Sequence, residues 1–215
     1  MEYDDLYAAL LHEMKNNLAL LTMSLDNIPA CGDEHHDRQL AAARMLGQKT
    51  ADRLTQTLLI YKSTKGDIVL SAVDAHSPED FVHELAQQTR SFNRKLEVTA
   101  QVEADVPAIW FFDRNMLEMA LLNAIHNSVN YARQRVEIRA GLRDGMLAIS
   151  IRDDSGGYPA HIMAAVTEGK PLQSQGTGLG LRFARLIAEA HRNDGRAGEL
   201  RLYNEDGAVF EIRVP

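Results

Sequence analysis

Gly176-Thr177-Gly178-Leu179-Gly180-Leu181 places three glycines within five residues, directly ahead of the amphipathic stretch Arg182 to His191. Glycine backbone can approach a ligand without a Cβ clash and can take positive φ. A helix opening on such a run offers unpaired backbone N–H groups to an anion. No Lys-Ser or Lys-Thr follows the last glycine, so this is not a Walker loop, and the spacing is not that of a dinucleotide fingerprint. On its own the run is equally compatible with a flexible turn before a helix.

Three further groups precede it. Asn123 and Asn127 stand four apart inside an apolar helical pattern with Leu121, Leu122, Ile125 and Val129. Buried there, two amides need hydrogen bonds or an ion, and amide oxygens are hard ligands suited to Mg²⁺. Ile151 to Pro159 reads as an apolar strand ending in an acidic, glycine-containing turn. Asp153 at that strand end can accept a hydrogen bond from an exocyclic amine such as that of adenine, although such turns are common. Finally, at 100° per residue the apolar stripe of the first helix centres near Leu21, which places His12 opposite, with Asn16 and Leu20 on the same outer face. A neutral imidazole beside Glu13 is chemically equipped as a nucleophile with a proton acceptor, and it also fits an ordinary surface histidine on a coiled coil.

The elements that must position these groups follow from the hydrophobic periods. Leu6, Leu10, Met14, Leu18, Leu21, Leu25 and Ile28 predict a helix over 4–28, ended by Pro29 to Asp33. A second helix over 35–62 carries the inward row Leu40, Ala43, Gly47, Thr50, Leu54, Thr57 and Tyr61. One helical hairpin cannot cover its own apolar stripe, so two chains forming a four-helix bundle are expected. Lys62 to Asp67 is the predicted boundary, giving domains 1–66 and 67–215. Beyond it the pattern predicts a strand over Ile68–Val73 and a helix opened by Ser77-Pro78 and reaching Phe92. A strand over Leu96–Val102 and a helix capped by Asp113 and reaching Ala132 follow. A hairpin of 135–140 with 146–152 comes next, then a helix after the glycine run and strands over 200–204 and 209–214. The fold class is α+β, a helical hairpin followed by an α/β sandwich.

Composition narrows the field. The chain has 215 residues, 45% of them hydrophobic and 25% charged, as in ordinary globular proteins. A net charge of −7 argues against nucleic acid or an anionic membrane as the main partner. The lone Cys31 excludes an internal disulfide, fits a reducing cytoplasm and, lying in a turn, reads as incidental. No apolar run is long enough to cross a bilayer, so no membrane insertion is expected.

Taken in order, the four groups resemble the two-component histidine kinases. His12-Glu13-Met14-Lys15-Asn16-Asn17-Leu18 is similar to the phosphoacceptor box, Asn123 to Tyr131 to the asparagine box, Asp153 to Pro159 to the first glycine box and Gly176 to Leu181 to the second. The resemblance spans nearly the whole chain and implies a dimerisation and histidine-phosphotransfer hairpin followed by a Bergerat-type ATP-binding domain. It implies that His12 takes the γ-phosphoryl group of ATP and passes it to an aspartate of a response-regulator receiver domain, with Glu13 as acid/base partner. Asn123 and Asn127 would hold Mg²⁺. Asp153 would recognise adenine, Gly157 would shape its pocket, and Gly176, Thr177, Gly178, Leu179 and Gly180 would meet the phosphates. Glu13-x-x-Asn16 resembles the phosphatase motif, with Asn16 orienting water.

There are departures from the family pattern. Ser155 stands in place of a glycine, Asn130 in place of a lysine, and the interval Tyr158 to Gln175 is 18 residues without a phenylalanine. Lys170 is available there for a phosphate. No sensor module precedes His12, so input from a separate sensor protein is expected, or constitutive activity. The alternative is a phosphotransfer adaptor or regulator phosphatase with a vestigial ATP site. A gyrase- or chaperone-like ATPase leaves the histidine hairpin without a role.

Overall fold

In a computed structural model the described residues are 3–64, 66, 68, 70, 72–92, 95–168 and 178–215, with side chains from Glu13 onward except Phe92. The chain divides into two compact units, Met1–Gly66 and Asp67–Pro215.

The first unit is a hairpin of α1 (Tyr3–Asp26) and α2 (Glu34–Ser63). Asp33 caps α2 by accepting from the backbone N–H groups of His35 and His36, and Asp37 accepts from those of Cys31 and Gly32. The last turn of α1 contains no basic residue. Its carbonyls are met from the other helix: Arg44 donates to the backbone oxygens of Leu25, Asp26 and Ile28 at 3.0, 3.1 and 2.6 Å. The side of α1 turned inward is Lys15, Leu18, Thr22 and Leu25, all half-buried. Leu21, the expected centre of the stripe, lies on its flank and is 51% exposed. The stripe is therefore rotated from the expected position. Met14, Leu21 and Ile28, seven residues apart, form a second apolar row that one hairpin leaves uncovered. On α2, Leu40 and Gly47 are buried as expected, whereas Thr50 is exposed and its hydroxyl bonds back to the Leu46 carbonyl.

The second unit is built on a five-stranded sheet of order β2-β4-β5-β9-β8. These strands are β2 (Glu97–Val102), β4 (Arg135–Arg143), β5 (Met146–Asp153), β8 (Glu199–Asn204) and β9 (Ala208–Val214). The β2–β4 pair is parallel and the other pairs are antiparallel. Alternation puts Val136, Ile138 and Ala140 of β4 on the buried face. Against that face lie α3 (Pro78–Phe92), α4 (Arg114–Tyr131) and α6 (Leu179–Ala190), contributing Phe81, Leu85, Leu117, Leu121, Ile125, Phe183 and Ile187 to the core.

The expected strand over Ile68–Val73 is displaced. Ile68, Leu70 and Ala72 are not in a strand, and β1 runs over Val73–His76. Its position is set by a partner that local pattern does not reveal, β3 (Trp110–Asp113), in the register Val73↔Asp113. This small pair ends at the cap of α4, where the Asp113 carboxylate accepts from the Met116 N–H at 3.1 Å. Phe112, wholly buried, stacks between His76 and Phe81 at centroid distances of 5.0 and 5.1 Å. Two further elements escape the sequence patterns: α5 (Ala160–Glu168), and the hairpin of β6 (Arg192–Asn193) and β7 (Arg196–Ala197).

Candidate nucleotide site

Asn123 and Asn127 share one face of α4, the helix whose other side supplies Leu117, Leu121 and Ile125 to the core. Their environments differ. Asn123 is half-buried, and its Nδ2 is buried with no hydrogen-bond partner among the described residues. Asn127 is exposed, which corrects the expectation of two buried amides. An α-helix buries only the side that faces its sheet, and Asn127 lies off that side, between the buried Ile125 and Ser128.

The glycine run comes to this same place. Gly178 caps α6 with φ 62° and no side-chain cap hydrogen bond, so the helix begins at Leu179, earlier than the expected Arg182. Gly180 lies in its first turn, and a Cβ there would stand 3.9 Å from Cβ and Cγ of Asn123. The first-turn N–H groups of α6, which a helix leaves unpaired, thus lie beside the face of α4 that carries an unpartnered amide. Gly176, Thr177 and Lys170 lie outside the described residues.

Asp153, the last residue of β5, is 4% exposed. Its Oδ1 accepts from the N–H groups of Ser155 at 3.0 Å and Ala208 at 3.4 Å; among the described residues every hydrogen bond to this carboxylate uses that oxygen. Gly207 takes φ 149°, and a Cβ on it would collide with the Asp153 carbonyl oxygen, so only glycine lets the β8–β9 turn close on this strand end. Gly157, at φ 85°, is crowded by Asn204, whose side chain would lie 2.7 to 2.8 Å from a Cβ. The crowding has a purpose. Asn204 Oδ1 accepts from the Tyr158 N–H at 2.7 Å and its Nδ2 donates to the Tyr158 carbonyl at 3.0 Å, a two-way clamp on the turn. Burial, and next the Asp153 carboxylate, push the Tyr158 hydroxyl above its ordinary pKa and keep it a donor.

Asp154 fastens the turn on its other side by accepting from the backbone of Arg133 at 2.7 Å and Gln134 at 3.0 Å. Burial works to raise its pKa, but these backbone bonds outweigh it and hold the carboxyl below the ordinary value. His191, just past α6, is buried. Its Nε2 accepts from the Asp113 N–H at 3.0 Å while Nδ1 lies 2.7 Å from the Ile187 carbonyl. Burial lowers its pKa, and the two bonds require a neutral ring with the proton on Nδ1. It ties the end of α6 to the start of α4. Asp154, Asn204, Gly207 and His191 were not singled out by sequence reasoning, because each acts on residues far away in the chain.

The groups fit a nucleotide with its cation: an unpartnered buried amide, unpaired helix N–H groups beside it, and a buried carboxylate at a strand end. Residues 112–215 match the family described as histidine kinase-, DNA gyrase B- and HSP90-like ATPase. The chain is 24% identical over 209 residues to the adaptive-response sensory kinase SasA of Synechocystis, covering 87% of this chain and 53% of that protein. It is 28% identical over 225 residues to the sensor histidine kinase ZraS of Salmonella typhi, covering 98% of this chain and 45% of that one. This chain is a homologue of the sensor histidine kinases.

Homology extends across both units, while the chain spans about half the length of these two relatives. Among solved structures, full-length ShkA in complex with AMPPNP superposes with a TM-score of 0.70 at 22% identity, covering 98% of this chain and 45% of ShkA. The histidine kinase AdeS of Acinetobacter baumannii gives 0.59 at 16% identity, covering 94% and 96%. These likenesses show a shared fold, which agrees with the α+β architecture and the helical hairpin ahead of an ATPase-type domain.

Of the residues that resemble a phosphoacceptor box, Glu13 and Asn16 are exposed on α1; His12 lies in the same helix, and its side chain is outside those described. Among the described residues no helix is long and apolar enough to cross a membrane.

Proposed function

We propose that this chain is an ATP-dependent protein histidine kinase of a two-component system. The observation that carries the reading is the meeting of Gly180 with Asn123, whose buried Nδ2 lacks a partner among the described residues. A decayed site would be expected to fill or satisfy that position, since an unpaired buried amide costs about 1–3 kcal/mol. Occupied by a phosphate group, it is satisfied. Family membership of residues 112–215 supports the same direction.

In this reading Asp153 accepts from the adenine amine, Gly157 shapes the base pocket through the turn that Asn204 clamps, and the segment from Gly176 to Gly180 meets the phosphates. Asn123 and Asn127 ligate Mg²⁺, whose chemistry is to neutralise charge on the phosphates. Neutral His12 supplies the attacking ring nitrogen, and Glu13 receives the ring proton. Asn16, one turn along the exposed side of α1, orients water for dephosphorylating a partner. The uncovered row of Met14, Leu21 and Ile28 is the seam by which two hairpins form a four-helix bundle. A response-regulator receiver domain is the phosphoryl acceptor, a separate sensor protein supplies input, and the cytoplasm is where these partners and ATP meet.

The test is incubation with γ-labelled ATP and Mg²⁺. Wild type should acquire acid-labile label, His12→Ala should acquire none, and Asn16→Ala should be labelled but fail to dephosphorylate a phosphorylated receiver domain. Label persisting in His12→Ala refutes the acceptor assignment. No label in wild type, with no ATP binding by calorimetry and with phosphate uptake from a phosphorylated partner, replaces the kinase by a phosphotransfer adaptor.

A further inference from the structure

The turn between α1 and α2 gathers three donors of different chemistry. The sulfur of Cys31, a ring nitrogen of His36 and a carboxylate oxygen of Asp37 all lie within 4.8 Å of one another. Cys31 and His36 are exposed, so neither side chain is held by packing. Asp37 is held. Its two oxygens accept from the Cys31 N–H at 3.0 Å and the Gly32 N–H at 3.1 Å, which fixes the carboxylate against the strand of chain that carries the thiol. Each carboxylate oxygen has a second lone pair beyond the one its N–H occupies. Neighbouring His35 is engaged elsewhere, its Nε2 being 3.1 Å from Gln39 Nε2.

We propose that Cys31, His36 and Asp37 form a binding site for a borderline divalent transition metal, of which Zn²⁺ is the best match. Thiolate, imidazole and carboxylate are the donor types of zinc sites, with bonds of about 2.3 Å to sulfur and about 2.0–2.2 Å to nitrogen and oxygen. In a tetrahedron such bonds put the donors roughly 3.5 Å apart, so closing from 4.8 Å takes about an ångström of side-chain rotation at the two exposed residues. Three protein ligands leave the fourth position to water. The donor set excludes Mg²⁺ and Ca²⁺, which select oxygen.

Charge supports the cation. The start of α2 carries the positive end of a helix dipole, but Asp33 at its cap and Glu34 and Asp37 in its first turn bring three carboxylates to the same place. On binding, the sulfur–metal bond replaces the S–H bond and the proton passes to solvent, so affinity falls with acid. The metal would join the turn to the first turn of α2 and stabilise the hairpin in proportion to metal concentration. Cys31, incidental by sequence alone, thereby gains a role independent of nucleotide chemistry.

The experiment is a Co²⁺ titration of the full chain, reduced and without nucleotide, followed by Zn²⁺ competition. We expect one Co²⁺ per chain, a sulfur-to-metal charge-transfer band, its loss on adding Zn²⁺, and a higher melting temperature with Zn²⁺. Cys31→Ser should abolish the band. His36→Ala should weaken binding by more than about tenfold, the loss that removal of even an outer partner causes at metal sites. His35→Ala should leave binding unchanged. Circular dichroism checks that each variant is folded; all three positions are exposed. A missing band, a band retained in Cys31→Ser, unchanged affinity in His36→Ala, or one metal per two chains would each overturn the proposal. Because ATP is absent, the outcome does not depend on the kinase reading.

Discussion

Replacing His191 with alanine tests the latch between α6 and α4. The imidazole is 4% exposed and holds the Asp113 N–H at the cap of α4. Truncation leaves that buried donor without a partner, at about 1–3 kcal/mol. The Ile187 carbonyl is less affected, because the backbone N–H of residue 191 still points at it. Adding a small cavity term, the loss is about 2–4 kcal/mol, or about 5–15 °C in the melting temperature of a unit this size. Acid gives a sharper signature. Burial depresses the His191 pKa in the folded state, so the unfolded chain takes up the proton first. The latch contributes fully above about pH 6.5, the ordinary value, and its contribution shrinks as pH falls from there toward the depressed folded value. Wild type and His191→Ala should therefore differ most near pH 8. By pH 5.5 the gap should narrow by about 1 kcal/mol, since each pH unit below the ordinary value costs about 1.4 kcal/mol. Urea unfolding of both proteins across this range measures it. A gap that stays constant or widens toward acid would refute the neutral, Nδ1-protonated latch.

Three other outcomes follow from the same geometry. Asp153→Asn keeps an oxygen for the Ser155 and Ala208 N–H groups, so the melting temperature should change little while ATP affinity falls about tenfold, or about 1.4 kcal/mol, by calorimetry; equal affinity would disqualify Asp153 as the base-recognising group. Gly207→Ala should destabilise by about 2–4 kcal/mol in urea and lose ATP binding, because its Cβ meets the Asp153 carbonyl; wild-type stability would contradict the crowding. Arg44→Ala removes three bonds to the end of α1 and should cost about 1 kcal/mol, this partly exposed side chain being screened, with faster hydrogen exchange at the end of that helix as the readout.

What could be read in advance was whatever the chain states locally. Asp113 before an apolar period announced α4, and Asp144-Gly145 between alternating runs announced the β4–β5 hairpin, where both residues take positive φ. The nearness of Asn123 to the glycine-run residue Gly180 is a contact between two helices, and the sequence offered only the two motifs separately. Long-range partners were not legible. His191 reaches Asp113 across 78 positions, Asn204 reaches Tyr158 across 46, and Asp153 meets Ala208 across 55. Nothing in a short window marks these contacts. The same applies to β1, whose limits follow from a distant partner strand, Val73 pairing with Asp113. Rotation of the α1 stripe away from Leu21 has another origin. Periodicity locates an apolar face but not which part of it meets α2, and the side turned inward is Lys15, Leu18, Thr22 and Leu25.

The sheet order has a bearing on how the protein is made. Strand β9, which follows the other four strands of the sheet in the chain, lies between β5 and β8 and supplies the Ala208 N–H to Asp153. By the time Leu181 leaves the ribosome every nucleotide-site motif exists as sequence, yet β5 still has an unpaired edge, and Asp153 lacks its support from the β8–β9 turn. A nascent chain therefore carries the whole chemical inventory without a pocket, and exposes the Ile149 and Ile151 strand as a sticky edge meanwhile. A chain cut before Ala208 loses the β9 partner of β5 and the Ala208 N–H to Asp153, and is expected to unfold more readily than the whole domain in urea.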